Sequence, residues 1–171
     1  MSRAIVALGG NLGDRYDSLR SALFSLEALP YTKVIGVSSI YDTAPFETDD
    51  KERFLNAAVM LNTDLSPHAL LGVCLGIEAS MGRVRTKKNG ARIIDLDLLL
   101  YDEITINDEE LTLPHPEITR RAFVLAPLRD LLPDGKWFSL DLREFFSKLD
   151  EIMSANGVEK SDAAFEYEIY F

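Results

Sequence analysis

The apolar positions change their period several times along the first 130 residues, and each change marks an element. "RAIVALG" (Arg3–Gly9) is a short apolar run ending at glycines, which predicts a buried first strand. The period then lengthens. Tyr16, Leu19, Leu23 and Leu26 recur at helical spacing, with Asp14 as N-cap and Pro30 closing the helix. "TKVIGVSSIYDT" reads as a strand. "RFLNAAVMLNTDL" alternates, with Phe54, Asn56, Ala58 and Met60 on one face and Leu55, Ala57, Val59 and Leu61 on the other. The polar loop "DTAPFETDDKE" joins these two strands. "SPHALLGVCLGIEASMG" is a second helix, with Ser66 as N-cap, Pro67 in the first turn and Gly82 at the C-cap. Its buried stripe is Leu70, Cys74, Ile77 and Met81. A basic loop and the strand "GARIIDLDLLLY" follow. The C-terminal part is helical over "LREFFSKLDEIM" and then polar.

Strand, helix, strand, strand, helix, strand is the order of the split βαβ unit. It predicts an α+β class protein, a ferredoxin-like βαββαβ sandwich whose mainly antiparallel sheet carries the helices. One domain over residues 1–171 is expected, with about 147–171 an appended tail of no evident role.

Composition narrows the classes. The chain has 171 residues, 47% of them hydrophobic, which suits one core. A net charge of -10 disfavours general binding to nucleic acid or an anionic membrane. A ferredoxin-like RNA-binding module would need a basic surface with exposed aromatics, and the basic residues here are focused in one loop. The single cysteine excludes an internal disulfide framework and, with no membrane-length apolar run and no signal-peptide pattern, predicts a cytoplasmic protein. A monomer is expected.

Asp95 and Asp97 interrupt an apolar run, and an unpartnered buried carboxylate is costly. Alternation resolves the conflict. Ile94, Leu96, Leu98 and Leu100 point one way, and Asp95, Asp97, Leu99 and Tyr101 the other. The two carboxylates then stand ~7 Å apart on one face, where two hard oxygen ligands suit Mg²⁺ with phosphate completing its shell. The alternative is a solvated strand face. Just before them, "GRVRTKKNGAR" holds Arg83, Arg85, Lys87, Lys88 and Arg92, five of eighteen basic residues, with no acid between Glu78 and Asp95. Clustered cations repel unless an anion joins them, and arginine forks suit phosphate oxygens. The alternative is a basic loop balancing acidic surface elsewhere. Asn56 is an amide in an apolar strand and needs partners, of which a ligand heterocycle is one. "LGGNLG" matches neither common nucleotide-binding glycine motif and reads equally well as a tight turn.

With these residues in view, the chain resembles the 6-hydroxymethyl-7,8-dihydropterin pyrophosphokinases of folate biosynthesis. The resemblance is carried by "LGGNLGDR", "SSIYDTAPF", "FLNAAV", "IEASMGRVR…GARIIDLDLLLY" and "LPHPEITRRAFVLAPL", in the family's order over about residues 4 to 130. It implies an ATP-dependent diphosphotransferase that carries pyrophosphate to a pterin hydroxymethyl group, with two Mg²⁺ ions on Asp95 and Asp97. It implies catalytic roles for Arg83 and Arg92 beside these aspartates. It places Glu78, Arg85, Lys88, Arg92, Leu98, Thr112, His115 and Arg121 about ATP. The pterin would meet Thr43, Ala44, Pro45, Phe46, Phe54, Asn56, Asp95 and Phe123. Asn89 stands where many members carry an aromatic, and Lys88 where some carry arginine.

Overall fold

Ten residues of unbroken alternation, Phe54–Thr63, form the central strand β4 of the sheet. The first strand, β1 (Ser2–Gly10), pairs with it along its whole length, from Ser2↔Thr63 to Gly10↔Leu55. β5 (Asp95–Tyr101) pairs with the free edge of β1. On the other side of β4 lie β2 (Thr32–Val37), against its C-terminal half, and β3 (Tyr41–Thr43), against its N-terminal end. Every pairing is antiparallel. The crossover from β1 to β2 spans β4, and that from β4 to β5 spans β1, so the chain contains two interleaved split βαβ units. This is the expected ferredoxin-like α+β fold. The structure is a computed structural model that describes residues 1–45, 51–84 and 91–168.

The two helices form where the apolar period predicts them. In α1 (Arg15–Glu27), Asp14 caps the N-terminus by accepting the Asp17 N–H, and Leu19, Leu23 and Leu26 are buried. In α2 (Pro67–Ser80), Ser66 caps and Leu70, Cys74 and Ile77 are buried, with Met81 packed at the edge. Both cover the face built by Ala4, Val6, Leu8, Leu55, Ala57, Val59 and Leu61. Full burial of each such leucine contributes about 1.5–3 kcal/mol against the entropy of folding. The opposite face, with Ile5, Ala58, Leu99 and Leu100, lies under α3 (Ala122–Leu131) and carries Leu149 and Val158 from the C-terminal region. Among the described residues, no helix is long and apolar enough to cross a membrane.

Three sequence expectations change. "TKVIGVSSIYDT" is two strands, because Ser38 replaces a regular ladder step: its hydroxyl accepts the Ala58 N–H at 2.8 Å, and Ser39 N–H turns to Asp130 on α3. The alternation of β5 holds through Leu99 and fails at Leu100 and Tyr101. A bulge at Leu99, between the pairs Val6↔Leu98 and Ile5↔Leu100, moves Leu100 to the α3 face and Tyr101 to the α1–α2 face. The helix expected over "LREFFSKLDEIM" breaks into α4 (Arg143–Ser147) and α5 (Leu149–Ala155), with Leu149 buried at the junction.

The remaining short elements are the hairpins β6 (Ile106–Asn107) with β7 (Thr112–Leu113), and β8 (Lys136–Trp137) with β9 (Leu140–Asp141). After α5 the chain adds β10 (Val158–Lys160) antiparallel to β3, then packs Ala163, Phe165 and Tyr167 beside α1.

Candidate active site

α3 begins at Ala122 and leaves the Gly9, Asn56 and Asp95 end of its sheet face uncovered. The opening is a cleft of about 730 Å³, solvent at its mouth included. Its floor is Ala7, Gly9, Asn56, Asp95 and Asp97 from three neighbouring strands. Its walls are Thr43 and Ala44 on one side, Phe54 and Arg92 on another, and Arg121, Phe123 and Val124 at the α3 end. The structure thus brings together Thr43, Ala44, Phe54, Asn56, Arg92, Asp95, Asp97, Arg121 and Phe123 from the residues singled out in the sequence.

The aspartates share a face of β5, as the alternation predicts, but their surroundings differ. Asp95 is held by two arginines: Arg83 Nη1 donates to one carboxylate oxygen and Arg92 Nη1 to the other, the latter at 2.6 Å. Burial pushes its carboxyl up, and the two guanidiniums outweigh that and hold it below the usual carboxylate range. Asp97 has a side chain open to solvent within the cleft, yet protein crowds it on the other sides. That desolvation, followed by the charges of Asp95 and Glu78, lifts its carboxyl from the ordinary 3.8 to about 7. A neighbouring cation would reverse this balance. Two carboxylate donors on one rigid strand, one clamped and one open, fit a hard divalent ion that keeps waters and phosphate oxygens in its shell.

Crowding at Asp97 makes stability depend on pH. Folding takes up a proton between pH 3.8 and about 7, so this group's contribution is full below 3.8 and lost as pH climbs through 7. In EDTA, Asp97→Asn is expected to melt higher than the parent at pH 8, with the gain shrinking towards pH 4. Solvent screening of this open carboxylate limits the gain to about 1 kcal/mol, or roughly 2–4 °C.

Glu78 is 2% exposed and committed twice: it accepts the Leu96 N–H at 2.8 Å and lies 2.7 Å from Arg83 Nη1. Burial raises its carboxyl pKa, with Asp95 adding to the shift and the Leu96 bond and Arg83 opposing it. Its place is behind the cleft, holding Arg83 rather than lining the opening. Asn56 is 8% exposed, and its amide donates to Thr43 Oγ1 at 2.8 Å. Gly9 leaves room for it, since a Cβ there would lie 2.5 Å from Asn56 Oδ1. The arginine walls are stacked, with Arg92 5.8 Å from the Phe54 ring centroid and Arg121 5.7 Å from that of Phe123.

Other candidates stand elsewhere. Leu98 is 2% exposed in the core under α1 and α2, and Thr112 sits in the β6–β7 hairpin. Neither lines the cleft, nor does Pro45. His115 accepts the Glu117 N–H on Nδ1, which leaves the ring proton on Nε2; burial, then Arg121, lowers its pKa and favours the neutral ring. Phe46, Arg85 and Lys88 lie outside the described residues.

Asn11 is the residue that sequence reasoning passed over. It is 4% exposed and grips Arg92 by both main-chain groups: its Oδ1 accepts the Arg92 N–H at 2.9 Å and its N–H donates to the Arg92 carbonyl at 3.0 Å. A Cβ on Gly10 would collide with the Ile93 carbonyl oxygen. The "LGGNLG" turn is therefore a seat for the segment that carries Arg92. A buried asparagine straight after paired glycines was the available signal.

The family model described as 7,8-dihydro-6-hydroxymethylpterin-pyrophosphokinase (HPPK) matches residues 5–133. The 2-amino-4-hydroxy-6-hydroxymethyldihydropteridine pyrophosphokinase of Methylorubrum extorquens is 44% identical over 160 residues, covering 94% of this chain and 99% of that protein. The Bacillus subtilis protein of the same name is 44% identical over 128 residues, 75% of this chain and 77% of that protein. Among solved structures, wild-type Plasmodium falciparum HPPK-DHPS with pterin and p-hydroxybenzoate matches with a TM-score of 0.71 at 19% identity, over 93% of this chain. This chain covers 46% of that longer one, and the likeness concerns the fold alone. The chain belongs to the 7,8-dihydro-6-hydroxymethylpterin-pyrophosphokinase family.

Proposed function

We propose that this chain transfers pyrophosphate from ATP to 6-hydroxymethyl-7,8-dihydropterin in folate biosynthesis, releasing AMP and the pterin diphosphate. One observation carries the site assignment. A single cleft joins an aromatic slot with a fixed amide (Phe54, Phe123, Asn56) to two carboxylates backed by arginines (Asp95, Asp97, Arg83, Arg92).

The pterin ring stacks between Phe54 and Phe123, and Asn56 with the main chain at Thr43 and Ala44 reads its hydrogen-bonding edge. This places the hydroxymethyl group towards Asp95 and Asp97. Asp95 and Asp97 would hold two Mg²⁺ ions, which would supply charge neutralisation at the phosphates. The pterin oxygen forms a bond to the β-phosphorus of ATP as the bond from that phosphorus to the AMP oxygen breaks. AMP leaves with that electron pair, and the hydroxyl proton passes to solvent. Arg92 and Arg83 stabilise the charge that spreads over the transferring phosphates. Asp95 holds both guanidiniums in place before nucleotide arrives, so that they exchange a carboxylate for phosphate oxygens. Arg121, and His115 as a neutral Nε2–H donor, serve ATP, with Arg85 and Lys88 of the basic loop completing its contacts.

The test is to incubate the chain with ATP, Mg²⁺ and the hydroxymethyl-dihydropterin and to quantify nucleotide products. AMP and pterin diphosphate are expected in equal amounts, and EDTA is expected to stop both. ADP in place of AMP would sink the attack at the β-phosphorus, and absence of both products the whole reading.

A further inference from the structure

The wall formed by Thr43 and Ala44 is held from a part of the chain that lies beyond residues 5–133. Ala44 donates its N–H to the carbonyl of Gly157 at 2.9 Å. Arg53 donates to the same carbonyl at 3.1 Å through Nη2, and its Nε donates to the carboxylate of Asp42. Asp42 immediately precedes Thr43, and Arg53 immediately precedes Phe54. Arg53 is itself seated, since its carbonyl accepts from Arg15 Nη1 at 2.9 Å. One carbonyl oxygen of the C-terminal turn therefore joins the end of β3 to the start of β4. The continuing strand adds the pair Val158↔Thr43.

The approach depends on residue 157. Its φ is +63°, a left-handed conformation natural to glycine, and a Cβ there would lie 2.9 Å from Ala44 Cβ. The contact chain then runs inward. Ala44 follows Thr43, whose hydroxyl is the acceptor that fixes the Asn56 amide at 2.8 Å.

We propose that the C-terminal turn and strand, residues 156–160, form a working part of the pterin side of the cleft, with Gly157 and Arg53 as positioning residues for Thr43, Ala44, Phe54 and Asn56. The inference rests on the pterin assignment above and deepens it. Its scope is the pterin side. The carboxylates and the main chain of Arg92, which serve ATP, are held from β1, β5 and the Asn11 turn, and the Arg92 guanidinium meets the pterin side through its stack on Phe54. Weakening the clasp therefore changes recognition of one substrate and spares the other.

The experiment uses the full chain with Gly157→Ala, Arg53→Met and Arg53→Lys. Steady-state KM is measured for hydroxymethyl-dihydropterin and for ATP, with a melting curve for each variant and direct binding of α,β-methylene ATP. The pterin KM is expected to rise roughly tenfold in Gly157→Ala and Arg53→Met, since small displacements of positioning groups carry effects of that order. The ATP KM and α,β-methylene ATP affinity stay within about twofold, as expected of independent sites. Arg53→Lys falls between, because one ammonium cannot serve the Gly157 carbonyl and the Asp42 carboxylate with the arginine fork. An unchanged pterin KM in both Gly157→Ala and Arg53→Met overturns the inference. So does a parallel rise of both constants with a lowered melting temperature, which marks a merely structural contact. Failure of the unsubstituted chain to release AMP overturns the underlying pterin assignment instead.

Discussion

Asp97→Ala is expected to fold as well as the parent chain and to lose Mg²⁺-dependent AMP release by about a thousandfold or more, the scale at which metal and electrostatic contributions act. The two aspartates are separated by their partners. Asp97 repels Asp95 and Glu78, so its removal relieves crowding among carboxylates. Asp95 joins Arg83 and Arg92, whose side chains are only 12% and 22% exposed. Asp95→Ala is expected to lose turnover to a similar extent and also about 1–3 kcal/mol of stability, because two poorly solvated cations lose a shared partner. Glu78 keeps its contact with Arg83 and limits that loss. Thermal melting beside AMP quantification checks both halves. Near-parent turnover in Asp97→Ala removes the metal assignment, and equal melting of the two alanine variants removes the stated division of labour.

Arg92→Ala carries the second large effect. Its single-turnover rate is expected to fall about a hundredfold to a thousandfold, the range for deleting one preorganised donor to a charge-developing oxygen. Pterin affinity should fall much less. The stacked guanidinium at Phe54 is worth about 0.5–1 kcal/mol at a partly exposed site, or roughly two- to fivefold in binding. Arg92→Lys keeps a point charge without the fork and is expected to recover part of the rate. Rapid-quench kinetics with ATP and titration of the pterin beside α,β-methylene ATP separate the two quantities. A rate equal to that of the parent excludes Arg92 from the chemistry.

What could be read from the residue order is local. The leucines at 19, 23 and 26, the caps Asp14 and Ser66, and the single charged face of β5 follow from periods of 3.6 and 2 with capping chemistry. Asn56 was legible as an amide in need of a partner, although the identity of that partner, Thr43, depends on which strand lies beside β4. The features that escaped depend on long-range pairing. A bulge at Leu99 is set by the register against Ile5 and Val6, and nothing in "DLDLLLY" distinguishes the two faces after Leu99. The break at Ser38 rests on the Ser38 hydrogen bond to Ala58 and the Ser39 hydrogen bond to Asp130, 91 residues away. Leu98, placed about ATP by resemblance, has its side chain in the core, as the alternation of β5 predicts, and Thr112, likewise placed, sits in a hairpin whose position depends on long-range packing. The Asn11 seat lay inside a quoted motif, and its purpose became visible only when Arg92 was found against it.

The β10–β3 pairing also bears on how the protein is made. β10 is the outermost strand on its side of the sheet, and it comes from residues 158–160. Until that segment has left the ribosome, β3 presents unpaired main-chain groups along a sheet edge, the kind of surface on which nascent chains associate with one another. A polypeptide stopped short of residue 157 already holds every aspartate and arginine assigned to the phosphate side, yet lacks both the cover for that edge and the carbonyl that seats Ala44. Protection of that sheet edge and the finishing of the substrate wall thus coincide in the same three-residue strand and the glycine before it.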